Sequence, residues 1–99
     1  MAAEVVWLDQ AIDDLSDILE FISAESPKSA AKYIAGLRES CERLRDFPQS
    51  SRVYNGAYRC LVFRNHLVFH RYDSEAGIVS IAMIVDAMRD VDRLFEALN

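Results

Sequence analysis

Residues Tyr58 to Asp73, YRCLVFRNHLVFHRYD, constrain this chain more than any other stretch. Two short apolar runs rich in Val, Phe, Leu and Tyr flank a polar connection at Arg64–Asn65–His66, the pattern of a β-hairpin. A third run, Ile78 to Val85, follows the small and charged residues Ser74–Gly77, which predict a second turn. The expected product is an antiparallel meander, and a sheet this small needs another layer over its apolar face.

The preceding half of the chain predicts that layer. Glu4 to Leu8 is a short apolar run suited to an edge strand, and Asp9 offers an N-cap carboxylate to a helix running to Glu25. Ile12, Leu15, Ile18, Leu19 and Ile22 form its apolar stripe, opposite Asp13, Ser16, Asp17 and Glu20. Asp13 and Asp14 are expected in its first turn, complementing the helix dipole.

Ser26–Pro27 marks a boundary: Pro27 fits the first position of a second helix, with Ser26 as its cap. That helix should reach Arg45 and bury Ala30, Ala31, Ile34, Leu37, Cys41 and Leu44. The short link makes the two helices an antiparallel hairpin. Phe47–Pro48 closes the second helix, and Gln49 to Ala57 reads as an exposed connection with a small strand at Arg52–Val53.

Alternation along the meander gives no clean polar face, so both sheet faces should be at least half covered, one by the helices and the other by the chain's tail or a partner. Val79, Ile81, Met83 and Val85 are expected to share one face. The tail, Ala87 to Leu98, predicts a short helix with Val91, Leu94, Phe95 and Leu98 on one side. The fold class is thus α+β: an N-terminal helical hairpin on a three- to four-stranded, mainly antiparallel twisted sheet, with a short C-terminal helix. At 99 residues the chain reads as one domain, 1–99.

Composition narrows the function. A net charge of −5 gives no general attraction to nucleic acid and favours a basic protein or peptide as partner. No leader and no apolar run long enough for a bilayer is expected, which points to a cytoplasmic protein without membrane association. Cys41 and Cys60 read as reduced core thiols, and two histidines without a Cys/His cluster predict no metal site. Three glycines, none in a phosphate-binding pattern, leave no basis for a nucleotide cofactor; no cofactor is expected.

Arg59, Arg64 and Arg71 lie in the hairpin, and Arg89 follows the third strand. Such arginines, with His70 or Tyr72 as acid/base, would suit metal-free phosphodiester cleavage. The favoured reading explains the same residues without catalysis, as solvent-facing arginines paired with Asp73, Asp90 and Asp92, a satisfied His70 and a turn residue at His66.

The ordered pieces VVWLDQAIDDLSDILEFI, SPKSAAKYIAGL, LRDFP, the hairpin itself and VSIAMIVDAMRD resemble, over nearly the whole chain, the ParE branch of the RelE/ParE toxins. The resemblance implies the fold above and tight binding by a cognate small antitoxin, ParD-like or similar, in a heterotetramer or higher assembly. ParE-like members poison DNA gyrase, whereas RelE-like members cut mRNA in the ribosome with arginines and a late tyrosine. Arg59, Arg71 and Arg89 match arginine positions, but VDRLFEALN supplies no tyrosine, so the resemblance implies a non-enzymatic gyrase inhibitor. The alternatives are a ribosome-dependent endoribonuclease and a nontoxic protein-binding module. Expected target contacts are Arg89, Asp90, Arg93 and Phe95; expected antitoxin contacts are Leu19, Ile34, Arg59, Val79, Ile81 and Met83. The segment IVDAMRD departs from the basic ending usual in this branch, with Asp86 and Ala87 in place of that character.

Overall fold

A computed structural model describes residues 2–88 together with Arg93 and Glu96. The elements are β1 (Glu4–Trp7), α1 (Asp9–Ser23), α2 (Pro27–Glu42) with a 3-10 turn at Arg43–Arg45, β2 (Arg52–Asn55), β3 (Tyr58–Phe63), β4 (His66–Asp73) and β5 (Ile78–Asp86). The helix predicted from Ala87 to Leu98 lies outside the described residues except at Ala87, Met88, Arg93 and Glu96.

Among the described residues the sheet has five strands in the order β1-β5-β4-β3-β2, more than the three or four expected. β2 is longer than Arg52–Val53 and pairs antiparallel with β3, while β1 lies parallel to β5 from Glu4↔Ile78 to Trp7↔Ile81. The sheet is therefore mixed. A parallel partner needs a crossover, and the helical hairpin supplies it as a layer over one face.

The β3–β4 and β4–β5 turns follow local chemistry. Phe63↔His66 is the last pair between β3 and β4, so the turn is only Arg64–Asn65, and His66 begins a strand instead of sitting in the turn. Arg64 takes a φ of 54°, a conformation that an L-residue adopts at some cost. At the next turn Gly77 has a φ of 68°, and Asp73 accepts bonds at 3.1 Å from the Glu75 and Ala76 N–H groups.

Ser26 caps α2 as expected, its hydroxyl accepting from the Ser29 N–H at 3.2 Å. Asp9 does not cap α1. The cap position is Leu8 and Asp9 is the first helical residue, so Asp13 and Asp14 fall beyond the first turn. α2 buries Ala30, Leu37 and Cys41, and Leu44 follows in the 3-10 turn; Ala31 lies on the exposed side. Gly36 brings α2 against β3, where a Cβ would stand 3.0 Å from the Phe63 ring. α1 buries much less: only Ala11 is fully inside, Ile12 is 50% exposed and Phe21 is 81% exposed.

Cores form on both sheet faces. On the helical side Leu37, Cys41 and Leu44 pack with Val68, Val79, Ile81 and Ile84. On the other side Cys60, Phe69 and Met83 pack with Tyr54, Tyr58, Leu67 and Val85. The expected single-face set Val79, Ile81, Met83 and Val85 is thus split. A bulge between β4 and β5 pairs Phe69 with Met83 but His70 with Ile81, and the extra residue, Ala82, reverses the alternation beyond it. Phe69 has no exposed surface, so the centre of the second face is covered within the single chain. Cys41 and Cys60 are free, buried thiols in different clusters.

Leu37 is fully buried and Ile12 is half exposed. Leu37→Ala should therefore cost about 2–5 kcal/mol in urea unfolding, and Ile12→Ala clearly less. Equal losses at the two positions would contradict this placement of the core.

Candidate functional site

Among the described residues Arg59, His70, Arg71 and Tyr72 do not all meet on one surface, although Arg71 and Tyr72 border one concavity. Arg59 pairs across the strands with His70, and its guanidinium donates to the carbonyls of Gln49 and Ser51 at 3.1 and 2.7 Å. It thereby fastens the segment before β2 to the sheet. His70 has no exposed surface, and neither ring nitrogen has a hydrogen-bond partner among the described residues. Burial pushes its pKa down to about 4, with the Arg59 charge acting in the same direction. The imidazole is consequently a neutral core group. Tyr72 packs against the same helix-side core, whereas Arg71 lies on the other side, its guanidinium 5.8 Å from the Tyr58 ring centre.

The expected partner contacts also divide. Leu19 is 41% exposed on α1 and Ile34 is half-buried on α2, while Val79, Ile81 and Met83 are core residues of β5. Arg93 is exposed; Arg89, Asp90 and Phe95 lie outside the described residues.

A groove that the sequence did not reveal runs between α1 and the second half of β5. It has a volume of about 710 Å³, with Ile18, Phe21 and Ile22 on one wall and Met83, Ile84 and Val85 on the other. It exists because β1 stops opposite Ile81 while β5 continues to Asp86. Asp14 reaches across the gap: one carboxylate oxygen accepts from the Ile84 N–H at 2.9 Å and the other from the Gln10 amide at 2.8 Å.

At one end of the groove the Tyr33 hydroxyl lies 2.6 Å from His66 Nδ1 and 3.0 Å from Asn65 Oδ1. Burial raises the Tyr33 pKa, opposed by the Arg64 charge and reinforced by Asp86. His66 is lowered by burial and raised in part by Asp86. Both net shifts favour the neutral form, the protonated phenol of Tyr33 and the uncharged imidazole of His66. Tyr33 also meets the Phe63 ring edge-on at 5.2 Å, so the pair locks α2 to the β3–β4 hairpin. The signal was unreadable in sequence, since Tyr33 and His66 are 33 residues apart. Among the described residues no group of three or more His, Cys, Asp or Glu side chains is placed to hold a metal ion, and no helix is long and apolar enough to cross a membrane.

The family model of the ParE toxin of type II toxin–antitoxin systems, parDE, matches residues 5–96. This chain belongs to that ParE toxin family. Toxin RelE2 of Caulobacter vibrioides is 31% identical over 87 residues, which cover 88% of this chain and 98% of that protein. The fold is shared with a structure of the chromosomal ParDE system of P. aeruginosa (TM-score 0.74, 18% identity, 86% of this chain and 96% of that one). It is shared too with the toxin–antitoxin complex RelBE2 of Mycobacterium tuberculosis (TM-score 0.64, 16% identity, 87% and 99%). ParE and RelE relatives thus both match, and the chain is the toxin component of a type II system within their superfamily.

In this ParE-family chain the buried His70 links stability to pH. Its folded pKa, about 4, lies below the ordinary histidine value of 6.5, so the unfolded chain binds the proton more readily. Stability is retained above the unfolded value and lost as pH falls from about 6.5 towards 4, with a slope of up to about 1.4 kcal/mol per pH unit. Urea midpoints across that range should show this loss, and His70→Phe should flatten the slope. An unchanged slope in the variant would assign the acid sensitivity to other groups.

Proposed function

We propose that this toxin acts as an inhibitory protein-binding ligand of DNA gyrase and is neutralised by a cognate small antitoxin. The observation that supports a non-enzymatic action most directly is the burial of His70. A general acid or base must come within hydrogen-bond reach of the proton it moves, and an imidazole with no exposed surface, kept neutral, offers a substrate nothing. Tyr72 faces the helix-side core, Arg59 already serves two backbone carbonyls, and Arg71 stands on the opposite face. The family match over residues 5–96 and the net charge of −5 favour the same reading, because docking on ribosomal RNA requires phosphate attraction to offset desolvation.

Inhibitory contact with gyrase is assigned to the segment after β5, through Arg89, Asp90, Arg93 and Phe95. The competing reading is mRNA cleavage on the ribosome by Arg59, Arg71 and Arg89, and it draws on the likeness to Caulobacter Toxin RelE2. The two readings separate cleanly. Purified protein should inhibit gyrase supercoiling, and its induction should arrest growth without new codon-phased mRNA 5′ ends. Such ends, with normal supercoiling, would overturn the proposal in favour of the ribonuclease; normal growth with retained antitoxin binding would leave only a binding module. Arg89→Glu should reduce gyrase inhibition or antitoxin affinity without moving the thermal midpoint, and unchanged values in both assays would remove Arg89 from the contact set.

A further inference from the structure

Buried polar atoms gather where the segment before β2 meets the sheet, and several of them have no partner. Arg59 on β3 pairs with His70 on β4, and His70 pairs with Ile81 on β5, so the three side chains share the helix-side face. The His70 ring has no exposed surface, and neither of its nitrogens is bonded among the described residues. The Ser51 hydroxyl, on a residue only 9% exposed, is unbonded as well. Both groups border the Arg59 guanidinium, whose Nη1 donates to the Ser51 carbonyl at 2.7 Å and whose charge acts on the imidazole across the strands.

Buried polar groups in native proteins almost always find a partner, whether in the chain, in ordered water or in an ion. Here the unmet groups are mostly donors. Arg59 Nη1 is committed to the carbonyls of Gln49 and Ser51, which leaves the Nε and Nη2 hydrogens unbonded among the described residues. The Ser51 hydroxyl and one nitrogen of the neutral imidazole are donors too. Among the described residues Arg59 forms no ion pair, so no carboxylate balances this partly buried charge. A surplus of donors beside an unbalanced cation calls for an anion more than for water, which must donate as well as accept.

Depth narrows the class. The unmet atoms of Ser51 and His70 are sealed from solvent, whereas Arg59 is partly exposed, so an occupant reaches them past the guanidinium. That suits a single monatomic ion and excludes a phosphodiester, whose chain must run out on both sides. We propose that Arg59, Ser51 and His70 bind one chloride ion, which neutralises the guanidinium and completes the attachment of residues 49–51 to the sheet. Chloride there accepts from the Ser51 hydroxyl, a His70 N–H and a free N–H of Arg59, and it favours proton uptake by His70. Arg59 is the charged group acting on His70; Cys41, in the core over the same face, stays neutral because burial pushes its thiol up to about 12. Neither the target nor the antitoxin enters this inference.

The test unfolds the full chain in urea, at fixed pH and ionic strength, in sodium chloride and in sodium gluconate. Chloride should raise the midpoint saturably, and by more at about pH 5 than at about pH 8, because the ion and the His70 proton bind together. Ser51→Ala should raise the half-saturating chloride concentration roughly tenfold. Arg59→Gln should abolish the response; if that variant unfolds through loss of its grip on residues 49–51, Ser51→Ala decides. In crystals grown from sodium bromide, anomalous scattering should place one bromide within hydrogen-bond reach of Ser51 Oγ and a His70 nitrogen. Equal midpoints in chloride and gluconate, an unchanged chloride response in Ser51→Ala, or no bromide at that position would each overturn the proposal.

Discussion

β5 lies between β1 and β4 and contributes side chains to both cores, Val79, Ile81 and Ile84 on the helical side and Met83 on the other. Removing four such side chains from water stabilises the fold by about 2 kcal/mol apiece. Everything else is placed relative to it. β1 finds its register on β5, α1 follows directly from β1, and the hairpin turns back so that α2 covers β4 and β3. The bulge at Ala82 lets one strand serve two cores, because without it Met83 and Ile84 would exchange faces.

That arrangement also explains where the molecule is unfinished. The second sheet face is buried at its centre, with Val62 left 56% exposed beyond it. At α1 the apolar residues extend past what α2 and the sheet cover. Leu19, Ile12 and Phe21 remain exposed on a helix that packs along a sheet edge, where one neighbouring strand ends early. An exposed apolar stretch beside an open strand edge is the kind of surface that soluble proteins reserve for binding.

Much of the fold was legible in the sequence because its signals are local. The helix periods, the Ser26–Pro27 start, the two β-hairpin turns and the strand runs all depend on neighbours within a few residues. The bulge was not legible, since an extra residue in an apolar strand changes no composition, and Val79 to Val85 looks the same with or without it. The parallel seat of β1, the Leu8 cap and the joining of Tyr33 to His66 depend on distant parts of the chain. For the site, residue types alone pointed to Arg59, Arg71 and His70. Burial and facing, which sequence does not carry, separated them. The groove was missed because Asp14 read as a first-turn charge, Asp17 as part of a wet helix face and Asp86 as a strand end until the fold brought them together.

The parallel pairing of β1 with β5 joins residues at opposite ends of the sequence, Glu4 with Ile78 and Trp7 with Ile81. During synthesis the first strand leaves the ribosome with no edge to join, and the helical hairpin emerges before any of the sheet that it covers. Closure of the domain waits for β5, which follows the other described elements in the chain, and until then the apolar sides of both helices stay wet. The newborn chain is at its stickiest just before β5 emerges, and anything that grips α1 early meets the molecule before the molecule has closed on itself.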